Sequence, residues 1–142
     1  MARINPYLTF NGNCEQAFIF YLSVFGGKFK DFSRFGEFSP IKGQELPESD
    51  LNKIMHVSLP ISKETILMGS DALPIHGAIT IGQNLSLSVD TDTKEEADKI
   101  FNQLAKGGKI TMPIATTFWG AYFGMLIDPF GIIWMVNYDE KK

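Results

Sequence analysis

The side chain best suited to proton transfer in this sequence is His56, one of two histidines among 142 residues. It lies in residues 54–59, where apolar side chains alternate with His56 and Ser58 as they do in a β-strand. Successive side chains of a strand point to opposite faces, so His56 and Ser58 share the face turned away from the apolar residues. Because imidazole titrates near neutral pH, His56 could act as a general base or donate a hydrogen bond to a ligand. A hydrogen-bonded structural histidine is the alternative interpretation.

Other reactive side chains are few. His76 lies beside a glycine in a polar connector and is interpreted as a surface residue. Cys14 is the only cysteine, so no disulfide can form within the chain, and we interpret it as structural although a helix N-terminus can lower a thiol pKa. Asp128 precedes Pro-Phe-Gly and is interpreted as a turn-forming residue rather than a catalytic carboxylate. An ordinary first-row metal site takes about three or four donors, so we predict neither a metal ion nor a cofactor.

Two amphipathic helices are predicted, the first over residues 14–25 and the second from a cap at Asp92 or Thr93. Apolar residues form one stripe on each helix, and the pairs Gly26-Gly27 and Gly107-Gly108 end the helices. The stripes consist of Ala17, Phe20, Tyr21 and Val24 in the first helix and Ala97, Ile100, Phe101 and Leu104 in the second.

Strand-like stretches precede and follow both helices. The most regular is residues 85–89, where leucine and valine face one side and Ser86 and Ser88 the other. Residues 122–137 form a β-hairpin around an Asp-Pro-Phe-Gly turn. Residues 36–52 lack periodicity and are predicted to be a long loop, either a lid over a pocket or a decoration without function. The other predicted strands are residues 4–10, 28–35, 53–59, 64–70 and 109–119, the last with an interruption at Pro113.

The chain repeats this order of elements once. Residues 6–28 run strand, loop, helix and Gly-Gly-Lys, and residues 84–109 run the same way. The sequence therefore predicts an α+β protein with a single domain over residues 1–142. Within it we expect one βαβββ module over about residues 3–73 and another over about residues 82–139.

Six short motifs lie in order along the chain: Tyr7-Leu8-Thr9-Phe10 with Asn11-Gly12-Asn13, Phe20-Tyr21, Phe25-Gly26-Gly27, Ile54-Met55-His56, Leu67-Met68-Gly69-Ser70-Asp71, and Asp128-Pro129-Phe130-Gly131 with Trp134-Met135-Val136-Asn137. Together they resemble the PhnB-like branch of the glyoxalase/bleomycin-resistance/dioxygenase superfamily, also called the vicinal oxygen chelate superfamily. The resemblance covers nearly the whole chain. It implies two βαβββ modules that form a cup-shaped mixed β-sheet, with the helices outside and a ligand pocket within.

The resemblance also implies where a metal ion would be bound. Metal-using members of the superfamily place His, Gln or Glu ligands on the first and last strands of each module, and the matching residues here are Pro6, Leu67 or Met68, Asn84 and Met135. Proline and leucine side chains offer no donor atom, an amide is a weak ligand, and a thioether suits hard cations poorly. We therefore expect a degenerate, metal-free site, which disfavours glyoxalase-type isomerase and ring-cleaving dioxygenase activity. Members of this branch are also described as ubiquinone-pathway methyltransferases, but the sequence shows no glycine-rich methyl-donor site.

Strand alternation directs a set of polar and apolar side chains into the implied cup. A mostly apolar cleft with a few polar groups is typical of small-molecule sites, although each of these residues could equally fill the core. His56 is the candidate catalytic residue. The candidate ligand-binding residues are Ser58, Met68, Asn84, Ser86, Ser88, Trp119, Phe123, Met135 and Asn137.

The composition excludes several kinds of partner. A formal net charge of -3 provides no broad basic field for nucleic acid. No apolar run approaches the ~20 residues of a membrane span, and no signal peptide is visible, so we expect no membrane association and a soluble, cytoplasmic protein. The 12 phenylalanines and 6 methionines indicate either a large apolar interior or an apolar cavity.

Three functions remain open from the sequence. The first is a metal-free protein that binds a small molecule, as the resistance proteins of the superfamily do. The second is a lyase, isomerase or oxygenase-type enzyme that uses His56 without a metal ion or with an unusual one. The third is a structural dimer whose cup is filled by its own side chains. We expect a homodimer in each case, because βαβββ modules expose sheet edges that relatives cover by pairing chains.

Overall fold

The computed structural model describes residues 1–38 and 45–140. The chain folds into two compact units, Met1–Thr80 and Ile81–Lys142, and each unit has the element order βαβββ. The α+β class and the repeated modules predicted from the sequence are confirmed. Within the described residues, no helix combines the length and the apolar character that a membrane crossing requires.

The first unit contains one four-stranded mixed sheet and one α-helix. Its strands lie in the order β1-β4-β3-β2, with β1 parallel to β4 and the other neighbours antiparallel. The long crossover between parallel strands is therefore supplied by the helix and the two strands that follow it. The elements are β1 (Tyr7–Phe10), α1 (Cys14–Phe25), β2 (Asp31–Arg34), β3 (Ile54–Pro60) and β4 (Ile66–Asp71).

The predicted loop over residues 36–52 is only partly irregular. Short 3₁₀ turns cover Phe35–Glu37 and Glu48–Asp50, and buried Asp50 forms a 2.7 Å salt bridge with Lys53. Residues 39–44 of this loop lie outside the described part of the chain. The choice between a lid and a decoration stays a prediction.

The helix α1 packs an apolar stripe against one face of the first sheet. Ala17, Tyr21 and Val24 are buried as predicted, but Phe18 is buried in place of Phe20, which is half-buried. This helix carries apolar residues on most of its sides, so periodicity alone does not determine the buried stripe. The prediction was wrong at Phe20 for that reason.

The approach of α1 to the sheet depends on Gly69 in β4. A Cβ atom at this position would lie 2.6 Å from the Phe18 ring and 2.8 Å from the carbonyl oxygen of Leu8. Both distances are shorter than van der Waals contact, so a larger residue would displace the helix or the strand. The missing side chain of Gly69 provides the space that the Phe18 ring occupies.

A bulge in β3 changes which of its residues face the helix. On β2, Ser33 pairs with His56 and Arg34 with Ile54, which leaves Met55 as an extra residue. Ile54 is fully buried and Met55 only half-buried, so the predicted alternation is wrong at Met55. His56 keeps its predicted place on the side away from the apolar core.

The second unit repeats the architecture of the first. Its strand order is β5-β8-β7-β6, with β5 parallel to β8. Two predicted boundaries are wrong: Leu85 precedes the strand and is 73% exposed, and β6 ends at Thr116 rather than at Trp119. The pairing of β6 shifts register across the segment that contains Pro113, as the predicted interruption requires. The elements are β5 (Ser86–Asp90), α2 (Lys94–Ala105), β6 (Lys109–Thr116), β7 (Ala121–Ile127) and β8 (Ile133–Asp139).

Two side-chain hydrogen bonds fix the start of helix α2. Thr93 Oγ1 accepts a hydrogen bond from the Glu96 amide at 3.1 Å, and Glu96 Oε1 accepts one from the Asp92 amide at 3.1 Å. Thr93 is therefore the N-cap, one of the two residues predicted for that role. The buried residues are those of the predicted stripe, Ala97, Ile100, Phe101 and Leu104.

Candidate functional site

Three candidate residues of the first unit lie on the sheet face that points away from α1. One row of paired residues on this face crosses all four strands. Met68 on β4 pairs with Tyr7 on β1 and with Ser58 on β3, and Ser58 pairs in turn with Asp31 on β2. Ser58 is buried, and its hydroxyl donates to Asp31 Oδ2 at 3.0 Å. His56 lies two residues from Ser58 along β3 and so projects from the same face. We call these five residues, Tyr7, Asp31, His56, Ser58 and Met68, the helix-opposite face of the first sheet.

His56 contacts Tyr7, a residue that the sequence analysis missed. The Tyr7 hydroxyl lies 3.2 Å from His56 Nδ1, and the two rings stack with centroids 5.7 Å apart and 26° between their planes. In one imidazole tautomer the hydroxyl donates to Nδ1; in the other, Nδ1–H donates to the hydroxyl and Nε2 can accept a proton. No local signal predicts this pair, because the residues are 49 positions apart and β4 lies between their strands.

A second group of candidate residues lies on the face of the second sheet that points away from α2. On this face Ser88 pairs with Met135, and Asn137 pairs with Phe123. Asn137 Nδ2 donates to Asp90 Oδ1 at 3.2 Å, which orients the amide at the end of β5. The helix-opposite face of the second sheet includes Ser86, Ser88, Asp90, Lys109, Met112, Phe123, Met125, Ile127, Ile133, Met135 and Asn137.

Two candidate residues lie outside the strands. Trp119 is in the turn between β6 and β7, is half-exposed, and has its ring centroid 6.0 Å from that of Phe123. It therefore extends the apolar part of the helix-opposite face. Asn84 precedes β5 and is exposed, so no strand fixes the direction of its side chain.

The positions at which the superfamily binds metal ions do not offer a suitable donor set. The Pro6 carbonyl accepts a hydrogen bond from the Met68 amide at 3.1 Å, and Leu67 is buried in the core. Asn84 lies outside the strand, and Met135 offers only a thioether, which hard cations bind poorly. The part of the chain that the structure describes contains no cluster of three or more His, Cys, Asp or Glu side chains that could hold a metal ion. A divalent cation does not fit these residues.

Cys14 has the properties of a structural thiol. Its side chain is fully buried at the start of α1, and its amide donates to Asp71 Oδ1 at 2.9 Å. Burial, together with the nearby Asp71 and Glu15 carboxylates, raises the pKa of the Cys14 thiol far above its ordinary value. A buried thiol with a raised pKa is a poor nucleophile, which agrees with the structural interpretation of Cys14.

Five other titratable side chains lie outside the residues that define the helix-opposite faces. Arg34 donates to both carboxylate oxygens of Glu15, at 2.9 and 2.7 Å, and this hydrogen bonding lowers the pKa of Glu15. Tyr122 donates to Asp98 on α2, which raises the pKa of Tyr122 to about 12 and keeps its hydroxyl protonated at neutral pH. His76 is exposed in the 3₁₀ turn Pro74–His76, as predicted.

The two modules and their strand order define a protein of the glyoxalase/bleomycin-resistance fold. A glyoxalase/bleomycin resistance protein/dioxygenase family enzyme from Burkholderia phytofirmans has a similar structure, with a TM-score of 0.59 and 19% sequence identity. The similarity covers 95% of this chain and 96% of that chain. At this level of identity the similarity shows the fold alone.

More similar proteins define the family. A family model described as 3-demethylubiquinone-9 3-methyltransferase matches residues 2–137. Protein YjdN of Escherichia coli is 34% identical, with 98% of this chain and 97% of YjdN covered. A crystal structure of a Pseudomonas aeruginosa protein has 40% identity and a TM-score of 0.83 over 98% of both chains. A PhnB protein from Bacillus cereus has 28% identity and a TM-score of 0.74 over 96% of this chain and 99% of its own. The chain therefore belongs to the PhnB-like family that this model describes, as the motifs predicted.

Proposed function

We propose that this protein binds a small molecule of mixed polar and apolar character, without a divalent metal ion, on the helix-opposite face of its second sheet. The observation that carries the proposal is the composition of the second face, where Ser88 and Asn137 stand among Phe123, Met125 and Met135. Small-molecule sites are mostly apolar and contain a few polar groups that fix the orientation of the ligand. The Asn137 amide, oriented by a hydrogen bond, has the properties of such a group.

The burial of these side chains supports the proposal. Leu126 and Val136, which lie on the other side of the second sheet, are fully buried, whereas Met125, Met135 and Asn137 retain exposed surface. Apolar side chains that only filled a core would be expected to lose their exposed surface as Leu126 and Val136 do. The difference favours a face that is available to a ligand.

The proposal extends to a cytoplasmic homodimer. Each sheet ends in two edge strands, β1 and β2 in the first unit and β5 and β6 in the second, whose outer backbone groups have no strand partner within that sheet. Proteins commonly cover such edges by pairing with a second chain.

Binding is tested by screening small metabolites and aromatic compounds in the presence of EDTA, with the melting temperature as the readout. A ligand at 100 times its Kd stabilises the folded state by about 2.7 kcal/mol, which corresponds to a rise of about 8 °C for a chain of this size. Asn137→Ala removes a polar group of the site and should weaken binding by about tenfold, which halves that rise. Asn102→Ala, at an exposed position of α2, is the matched control and should leave the rise unchanged.

Two outcomes would contradict the binding proposal. One is a screen in which no compound raises the melting temperature, and the other is an equal rise in the wild type and in Asn137→Ala. The structural dimer would then be favoured if Met135→Ala cost about 2 to 5 kcal/mol, because truncation of a packed side chain leaves a cavity.

The contact between Tyr7 and His56 favours a second candidate function, proton transfer to or from a ligand bound on the helix-opposite face of the first sheet. In the tautomer whose Nδ1–H donates to the Tyr7 hydroxyl, Nε2 can take a proton from a ligand carbon or oxygen. Such an enzyme would be a metal-independent lyase or isomerase in which the Tyr7 ring holds the imidazole in a fixed orientation.

Proton transfer is tested by incubating the stabilising compounds with the protein in D₂O and following deuterium incorporation by mass spectrometry. We expect His56→Gln to slow this exchange by about 10²- to 10⁴-fold, the usual contribution of a general base, while the ligand-induced rise in melting temperature is retained. His76→Gln changes the exposed histidine and should leave the exchange rate unchanged. An exchange rate in His56→Gln equal to that of the wild type would rule out this second function.

A further inference from the structure

Three of the 6 methionines in the chain form one row across the second sheet. Met112 on β6 pairs with Met125 on β7, and Met125 pairs with Met135 on β8. Cβ atoms of directly paired residues on neighbouring antiparallel strands lie about 4.5–5.5 Å apart. Met125 is therefore an immediate neighbour of both Met112 and Met135 on the helix-opposite face of the second sheet, and it lies between them.

The row is accessible and adaptable. Met112 is 43% exposed, and Met125 and Met135 are half-buried. Methionine has an unbranched side chain with three rotatable bonds, so sulfur atoms carried by adjacent strands can converge on one point. Convergence at the row requires rotamer changes only and leaves the strand pairing intact.

Three neutral thioethers select a particular class of ligand. Thioether sulfur is soft and polarizable, and soft sulfur ligands prefer Cu(I), whereas Mg²⁺, Ca²⁺ and Mn²⁺ prefer oxygen. The residues that define this face include neither histidine nor cysteine, the common ligands of Zn²⁺. The donor set is therefore matched to a soft monovalent ion and poorly matched to the divalent ions of the superfamily.

From this arrangement we propose that Met112, Met125 and Met135 form a binding site for one soft monovalent metal ion, Cu(I) or its analogue Ag(I). Only Met135 belongs both to this row and to the positions that the superfamily uses for divalent metal ions. The site does not depend on the proposed small-molecule function, because it needs only the three sulfur atoms and the register of β6, β7 and β8.

The site is tested by anaerobic competition for Cu(I) against the coloured complex of bicinchoninate, followed by absorbance. The wild type should withdraw one Cu(I) per chain. Met125→Leu conserves the side-chain volume but removes the central sulfur, and it should weaken Cu(I) binding by about tenfold or more. Met112→Leu, at the more exposed edge position, should have a similar effect and replaces Met125→Leu as the test if that variant does not fold. Met68→Leu makes the same change in the first sheet and should leave the Cu(I) affinity unchanged.

Two results would overturn the site. One is a wild-type protein that leaves the bicinchoninate complex intact, and the other is wild-type affinity in both Met112→Leu and Met125→Leu. Cys14 is the chain's only thiol, so Cys14→Ala should still bind one Cu(I), and loss of binding in that variant would assign the metal to the thiol instead. The probe in this competition is Cu(I) itself. A thermal screen in which no small molecule raises the melting temperature would contradict the binding proposal, but it would not change the outcome expected for Cu(I).

Discussion

Replacing Asp71 by alanine is expected to lower the free energy of unfolding by about 4 kcal/mol. Asp71 is 4% exposed, and its carboxylate accepts three backbone hydrogen bonds, from Gly12 at 3.1 Å, Cys14 at 2.9 Å and Ile54 at 2.9 Å. Hydrogen bonds to charged groups contribute about 1.5–3 kcal/mol each. Cys14 and Ile54 are fully buried, so water cannot replace the lost acceptor. The carboxylate ties the start of α1 and the start of β3 to the end of β4.

Urea denaturation followed by circular dichroism measures this loss. Asp71→Asn keeps one carbonyl oxygen but turns an NH₂ group toward a backbone donor, so it should cost about 2 kcal/mol. Asp90→Ala removes an exposed carboxylate that accepts a single hydrogen bond, from Asn137, and should change stability by no more than about 1 kcal/mol. If Asp71→Ala were as stable as Asp90→Ala, the three hydrogen bonds would make no net contribution to folding.

The helix α1 shows what the local sequence determines and what it does not. Its bounds, Cys14–Phe25, are those predicted, because Gly26 adopts a positive φ of 76° and ends the helix at the expected place. The buried stripe was predicted less well, since the helix has apolar residues on most sides and Gly69 on a distant strand admits Phe18. Local signals fix where a helix ends, and packing against the sheet selects its buried face.

Contacts between distant strands had no signal in the sequence. Asp71 was noticed only as part of a motif, because its amide partners lie 17 to 59 positions away. The Tyr7–His56 pair depends on the strand order of the first sheet, and the bulge at Met55 depends on how β3 pairs with β2. These features arise from register and topology, which a single strand does not encode.

The candidate site was predicted to the extent that strand alternation determines it. The helix-opposite face of the second sheet contains Ser86, Ser88, Met135 and Asn137. Strand alternation predicts this, because every second residue of a strand that packs against a helix points away from that helix. Asn84 precedes β5 by two residues, so strand alternation does not determine the direction of its side chain, and its role in the site stays a prediction. The sequence did not predict that Met112 lies beside Met125. The pairing of β6 with β7 shifts register on both sides of Met112, so alternation along β6 does not reveal which residues are its neighbours.

Replacing Asp128 by alanine is also expected to cost about 4 kcal/mol, because its buried carboxylate organises the turn between β7 and β8. Asp128 Oδ1 accepts hydrogen bonds from the amides of Phe130 at 2.8 Å and Ile132 at 3.0 Å. Asp128 Oδ2 accepts one from the indole nitrogen of Trp134 at 2.8 Å. Gly131 completes the turn at a positive φ of 89°. The prediction that Asp128 forms the turn is confirmed, and urea denaturation of Asp128→Ala measures its contribution.

The share of the Trp134 hydrogen bond in this cost can be isolated with a double-mutant cycle. Trp134→Phe removes the indole N–H, so Asp128→Ala should cost about 1–2 kcal/mol less in that background than in the wild type. Circular dichroism is the appropriate probe, because Trp134→Phe leaves Trp119 as the only tryptophan in a chain that has 2. Equal costs in the two backgrounds would mean that the indole bond contributes nothing and that the backbone amides account for the whole effect. A difference of the expected size would mean that the same carboxylate fixes both the turn and the buried Trp134 ring, which shares the helix side of the sheet with Leu126.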